Sequence, residues 1–412
     1  MRVLFTTWAW GSHFNPMVPL GWALRAAGHE VIVVSHPGFA PTITRAGLPA
    51  LPAGRPVDLA AELSNAIRRS TWKPGAHYPG TGHPGTGHPG TGHDPIKRRR
   101  GLTVLRIAAA SADAMADDAL SFARTWRPDC VVFEPTAFLG PVLAGALGVP
   151  SYRLLWTVDF SASITVVEDE ILGGLAARLG APRVNALGDA TLDPCPPRLQ
   201  TEYGNPRQPM RYVPYNGPSV LPAWLRARPR RPRLCVTWGT SLQGMGMQDK
   251  VLATRVAAVL ANRDVEVVLA VTEEQSKALG SLPANVVHAG RVPLHLLLPS
   301  CTAIVHQGGG GTLMTAMDAG VPQFILPFVP DTVLNAHQVA GTGAGRQLWS
   351  GDLSDGELAT ALAEFLDGIE PYRTAAARLR DEHLGQPTPL ETVRELELAA
   401  RGAQSAGLAA DR

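Results

Sequence analysis

The chain has 412 residues, 45% of them apolar and 17% charged, with a formal net charge of +2. That length exceeds one comfortable hydrophobic core and points to two or more domains. The near-balanced charge argues against nucleic acid or a membrane surface as partner and leaves small molecules.

From the N-terminus, the apolar run Val3 to Thr7 reads as a strand, and Trp8 to Asn15 as a loop. A helix then opens at Pro16, stops at Gly28 and hands over to the strand Val31 to Ser35. A strand–helix–strand unit of this length implies a parallel sheet with a right-handed crossover. MRVLFTTW is too short in its apolar part for a signal peptide, and Pro141 interrupts the most apolar stretch, so no spanning helix is expected. Residues 79–93 repeat PGTGH three times, within a segment of about 70–100 that reads as a mobile loop. His83, His88 and His93 could bind a metal there, but an expanded low-complexity repeat accounts for them more simply. A helical stretch from Leu102 to Trp126 leads into the buried strand ending at Phe133-Glu134, then a helix Pro141 to Leu147 and a strand Ser151 to Leu155.

Proline, glycine and arginine crowd the segment before Pro232, which reads as an interdomain linker over 212–232. Strand–helix alternation then resumes with Leu234 to Trp238, Val265 to Val271, Val286 to His288, Ala303 to Val305 and Gln323 to Leu326. The chain therefore divides into a first α/β domain (1–211), the linker, a second doubly wound domain (233–385) and a C-terminal helix and tail (386–412) that can pack back on the first domain. The four cysteines, Cys130, Cys195, Cys235 and Cys301, lie far apart without metal-ligand spacing, so a reduced, cytoplasmic protein is expected.

The most informative run is His306-Gln-Gly-Gly-Gly-Gly-Thr312, where an apolar strand ends and a helix begins. Amides at such a helix start, aligned with its dipole, suit a diphosphate, and Gly308, Gly309, Gly310 and Gly311 let the backbone approach it. No GKS or GKT follows, which excludes a Walker A loop. Three further strand ends carry ligand-type residues. Gly239, Thr240 and Ser241 suit a phosphate or ribose, and Arg291 offers a planar guanidinium to a base. Asp331, with Thr332 and Asn335, can accept hydrogen bonds from sugar hydroxyls. In the first half, His13 lies just beyond strand one, where open α/β sheets collect ligands. It reads either as a general base for an acceptor hydroxyl or as a ring capping its loop. Glu134 reads as the carboxylate that orients it or as a strand end satisfied by backbone amides.

Together, SHFNP, HQGGGGTLMTAMDAGVPQFILP and PDTVLNAHQ resemble the GT-B fold, inverting glycosyltransferases of the nucleotide-sugar, natural-product type. The likeness is nearest to actinobacterial enzymes that attach deoxysugars from dTDP donors to polyketide antibiotics. It implies two Rossmann-like domains across a cleft, His13 as catalytic base and Glu134 where relatives usually have aspartate. It also implies a pyrophosphate held by His306 and the glycines, a nucleobase beside Arg291-Val292, and a sugar contacted by Asp331. Thr332 stands where many relatives have glutamine, which points to a sugar with fewer hydroxyls. Trp8, Trp10, Phe14, Phe138 and Trp156 are the acceptor-contacting candidates. No Asp-x-Asp motif occurs, so neither a metal nor a bound cofactor is expected. A homodimer and an accessory activator protein stay open. The competing readings are a sugar-nucleotide epimerase on the same fold and a catalytically silent nucleotide-sugar-binding partner.

Overall fold

The computed structural model describes residues 1–69, 95–161, 167–201, 206–240, 247 and 251–410. Two all-parallel sheets form the scaffold. The first comprises β1 (Arg2–Thr6), β2 (Glu30–Ser35), β3 (Ala50–Pro52), β4 (Cys130–Phe133), β5 (Ser151–Leu154), β6 (Ala190–Asp193) and β7 (Arg207–Pro209), in the order β3-β2-β1-β4-β5-β6-β7. The second comprises β8 (Arg233–Thr237), β9 (Glu266–Ala270), β10 (Val286–Gly290), β11 (Ala303–His306), β12 (Gln323–Ile325) and β13 (Gly345–Gln347), in the order β10-β9-β8-β11-β12-β13. The central strands RVLFT, CVVF, RLCVT and AIVH are apolar apart from polar residues at their ends because helices cover both faces of each sheet.

In each sheet the strand order reverses once, between β1 and β4 and again between β8 and β11. Ligands of open α/β sheets collect at such switch points, beyond the strands' C-terminal ends. Thr6 pairs with Phe133 at the first and His306 with Thr237 at the second, so the chain leaves both sites from side-by-side strand ends.

Several elements differ from the sequence pattern. The helix expected from Leu102 starts at Pro95, since proline is tolerated in a first turn, so residues 95–100 are helical rather than loop. Strands β3, β6, β7 and β13 are short or polar and carry no apolar periodicity. The PGTGH repeats lie outside the described residues.

The two halves are joined by packing as well as by covalent connection. Val158, Leu199 and Tyr212 share one apolar cluster with Leu313, Met314 and Ile325 of the second half. The C-terminal helix Pro389–Ala410 returns to the first half, where Val393 and Leu396 are buried with Phe5 and Leu20 and His29 Nε2 lies 2.8 Å from Glu397. Among the described residues no helix is long and apolar enough to cross a membrane.

Candidate active site

Beyond β1 the chain turns through Thr7 and Trp8 into the short helix Gly11–Phe14, which carries His13. Phe14 anchors that helix from below, fully buried with Val3, Phe5 and Met17. Beyond β4 come Glu134, Pro135 and Thr136. Glu134 has no exposed surface; its Oε1 accepts from the Trp8 amide at 2.9 Å and its Oε2 from the Thr136 amide at 2.8 Å. The Thr136 hydroxyl is 3.0 and 2.9 Å from the two carboxylate oxygens and 3.0 Å from His13 Nδ1. Glu134 Oε2 itself is 3.4 Å from Nδ1. On its other face the imidazole stacks on Trp156, with ring centroids 4.1 Å apart and planes at 26°.

Trp156 and Thr157 belong to the loop after β5, and a buried ion pair fixes that loop. Arg153, fully buried, bonds Asp159 at 2.7 Å, and Arg207 bonds Asp193 at 2.9 Å beside them. Burial lowers the guanidinium pKa of Arg153, which Asp159 partly offsets. Unpaired charges in such a setting cost several kcal/mol, so the ring of contacts holds only while complete.

Across the cleft, His306 ends β11 fully buried. Its Nδ1 accepts from the Gly308 amide at 3.1 Å and its Nε2 lies 3.0 Å from Gln323 Oε1. Desolvation pushes its pKa down to about 4, so the ring is neutral at physiological pH and donates Nε2–H to Gln323. Gly308 takes φ +92, and a Cβ there would lie 2.9 Å from the Thr332 carbonyl oxygen. Gly309 precedes the helix Gly310–Asp318, whose first-turn amides have no acceptor within the helix. A Cβ on Gly310 would meet Thr157 at 2.8 Å and Trp156 at 3.0 Å, whereas one on Gly311 would meet nothing within 4 Å. Asn335 bridges the halves: its amide donates to the Gly308 carbonyl at 2.8 Å and its Oδ1 accepts from Thr157 at 3.3 Å. Asp331 lies in the first turn of the helix Pro330–Thr342, and desolvation raises its carboxyl pKa, opposed by the Asp331 and Thr332 amides and by His13.

With this geometry in view, the relatives are informative. The erythromycin biosynthesis protein CIII-like N-terminal domain matches residues 22–239 and the corresponding C-terminal domain matches 254–398. The chain belongs to that family and is a glycosyltransferase. It is 38% identical to 10-deoxymethynolide desosaminyltransferase of Streptomyces venezuelae, across 97% of each chain. It is likewise 38% identical to TDP-daunosamine transferase DnrS of Streptomyces peucetius, across 99% of each. Among solved structures, glycosyltransferase VinC in complex with dTDP superposes with a TM-score of 0.78 at 32% identity, covering 97% of this chain and 100% of that one. Spinosyn rhamnosyltransferase SpnG complexed with thymidine diphosphate gives 0.79 at 31%, covering 96% and 100%. The two-domain GT-B architecture is shared throughout.

Against this glycosyltransferase frame, the residues singled out by sequence separate clearly. His13 meets Glu134 and Trp156, with Trp10 on the same turn; Gly239 and Thr240 follow β8, Gly308 to Thr312 follow β11 and Asp331 follows β12, with Gly239 and Gly309 both beside Gln307; Ser241 lies outside the described residues. Four residues serve the fold instead. Phe14 is core, as described, and Phe138 is buried among Leu139, Val142 and Leu143, because one ends and the other caps a helix packed on the sheet. Val292 packs inward against Leu225 and Val268, leaving only Arg291 exposed, with its guanidinium beside Gly217. The Thr332 hydroxyl accepts from the Phe328 and Val329 amides and donates to the Val329 carbonyl at 2.7 Å, so it fastens its helix start and has nothing left for a sugar. Trp8, 4% exposed, forms the floor under His13 rather than an open wall.

The sequence reading passed over Thr136, Thr157, Gln307 and Gln323. Thr136 follows Glu134 by two residues, a spacing that brings a hydroxyl back onto the preceding carboxylate. Gln323 meets His306 only because β11 and β12 are neighbours, which no local spacing announces. Gln307 stands between the two glycine turns, its amide nitrogen 2.8 and 2.9 Å from where Cβ atoms of Gly239 and Gly309 would be; its buried Oε1 has no partner among the described residues.

Proposed function

We propose that this glycosyltransferase moves a deoxysugar from a dTDP-linked donor to a hydroxyl of a polyketide-type aglycone, with inversion and with His13 as general base. The observation that carries the reading is the convergence at Trp156. One face of that residue's loop stacks on His13, and the other touches Gly310 at the start of the glycine helix, so base and anion site flank one space. Among the described residues His13 Nε2 has no partner, which leaves it free to take the acceptor proton. The acceptor oxygen then attacks the anomeric carbon and the diphosphate departs from the opposite face. Charge growing on the diphosphate falls on the amides and dipole of the helix Gly310–Asp318. His306, neutral and bonded at both ring nitrogens, shapes that loop without contributing charge.

The names of the relatives, desosaminyl and daunosamine transferases, and of the dTDP complexes of VinC and SpnG support donor and acceptor class. Asp331 is the carboxylate available to the sugar, and a Thr332 that offers no hydrogen bond matches a sugar with few hydroxyls. The test is transfer from dTDP-deoxysugars to a panel of macrolactone and anthracyclinone acceptors, with and without EDTA. His13→Ala should lower kcat by roughly two to four orders of magnitude with dTDP affinity retained. Wild-type turnover in that variant would remove His13 from the mechanism, and failure of dTDP to raise thermal stability would remove the donor assignment.

A further inference from the structure

We propose that Thr136 is the positioning residue that sets the tautomer of His13, standing between the imidazole and Glu134 as a hydroxyl relay. The inference rests on His13 being the base.

The direction of each proton follows from the contacts. Both Glu134 oxygens already accept from backbone amides, of Trp8 at 2.9 Å and Thr136 at 2.8 Å, which fixes the carboxylate as an acceptor. A threonine hydroxyl carries one proton and two lone pairs. Placed 2.9 and 3.0 Å from the carboxylate oxygens, it gives that proton to Glu134. Only lone pairs then remain for His13 Nδ1, 3.0 Å away, so Nδ1 carries the hydrogen and donates. The chain Nδ1–H to Thr136 Oγ1–H to Glu134 runs one way, and it leaves Nε2 bare toward the cleft.

The competing arrangement has Nδ1 donate straight to Glu134 Oε2. That separation is 3.4 Å, beyond the 2.7 to 2.9 Å of a charge-assisted bond. The cause is the extra methylene of glutamate: the carboxylate folds back onto the Trp8 and Thr136 amides and stops short of the ring. The Thr136 hydroxyl fills the gap. Trp8 and Trp156 fix the ring plane, and Asp331 across the cleft is the other charge that acts on it. During transfer Nε2 receives the acceptor proton, Nδ1–H stays in place, and the positive imidazolium is stabilised through Thr136 by Glu134. No proton moves along the relay.

The experiment reads the tautomer directly. In protein labelled with ¹⁵N-histidine, long-range ¹H–¹⁵N spectra should show His13 as the Nδ1–H form, the signal being identified by its loss in His13→Asn. Thr136→Val keeps the backbone amide and the side-chain volume but removes the hydroxyl. It should give a mixed or Nε2–H tautomer, with kcat down about ten- to a hundredfold, as for lost outer partners of a functional histidine. Donor KM should hold, and Thr136→Ser should restore both readouts. Thr136→Ala gives the same test if the valine variant does not fold. Retention of the Nδ1–H form and wild-type kcat in the valine or alanine variant overturns the proposal and returns the orienting role to Glu134 alone. Because the spectrum needs no turnover, it separates failure here from failure of His13 as base.

Discussion

At the β1/β4 rim the atoms that converge belong to side chains: His13, Thr136, Glu134, the stacked Trp156 and the Arg153–Asp159 pair that holds its loop. At the β8/β11 rim they belong to the backbone, the glycines having cleared space and His306 being consumed in shaping the turn. Both rims sit at switch points of similar sheets, yet they are vulnerable in different ways. The first is sensitive to loss of a specific chemical group, the second to the gain of any Cβ. This division matches what the proposed mechanism asks of each half. A base needs one ring nitrogen of defined protonation, whereas a diphosphate needs many weak donors aimed at one point.

The comparison can be strained from either side. The largest effect on folding is expected from Asp159→Ala, which strands the fully buried Arg153. About 3 to 5 kcal/mol of stability should be lost in urea unfolding, together with the His13–Trp156 stack. A loss below 1 kcal/mol would show that Asp193 and Thr191 can hold the guanidinium by themselves.

Next is an acid sensitivity located in the donor half. Burial lowers the His306 pKa from 6.5 to about 4, so the unfolded chain binds a proton that the folded chain refuses. The stabilisation is therefore complete above pH 6.5 and is lost as pH falls toward 4, by about 3 kcal/mol for the whole window. His306→Gln should flatten the stability-versus-pH curve across that window; an unchanged slope would move the acid sensitivity to other groups.

Gly308→Ala tests the backbone character of the same rim. Its φ of +92 and the 2.9 Å approach to the Thr332 carbonyl make any Cβ strained, and dTDP should bind about ten- to a hundredfold more weakly. The smallest effect on the fold belongs to Gly311→Ala, where a Cβ meets nothing within 4 Å. Stability should rise by roughly 0.5 to 1 kcal/mol, because alanine suits a helix better than glycine. Affinity for dTDP should nevertheless fall, since the methyl occupies open space over the helix start. Calorimetry showing undiminished affinity would place the diphosphate elsewhere.

Much of this was legible in the chain itself. Continuous apolar runs marked the central strands, because a strand buried on both faces has no polar side to show. The His306 to Thr312 run marked the second site, because a helix start flanked by glycines has a distinct composition. The short strands β6, β7 and β13, the last two at sheet edges, were not legible, since three or four residues with polar members carry no period. Nor was the internal use of Val292, Thr332 and Phe14, because the direction a side chain takes at a turn depends on what packs beneath it.

Local pattern by itself determined the central strands and, with them, the strand ends that carry His13, Glu134 and the glycine loop; these depend on periodicity and on the backbone freedom of glycine, whereas the strand order that makes two of those ends switch points came from the tertiary structure. Tertiary structure alone decided which atoms meet. The Glu134 carboxylate is captured by the amides of Trp8 and Thr136, Gln323 closes on His306, and Trp156 reaches both His13 and Gly310. Hydrogen bonds and ring stacking are decided within a few tenths of an ångström between residues far apart in the chain, and no spacing along the sequence encodes that distance.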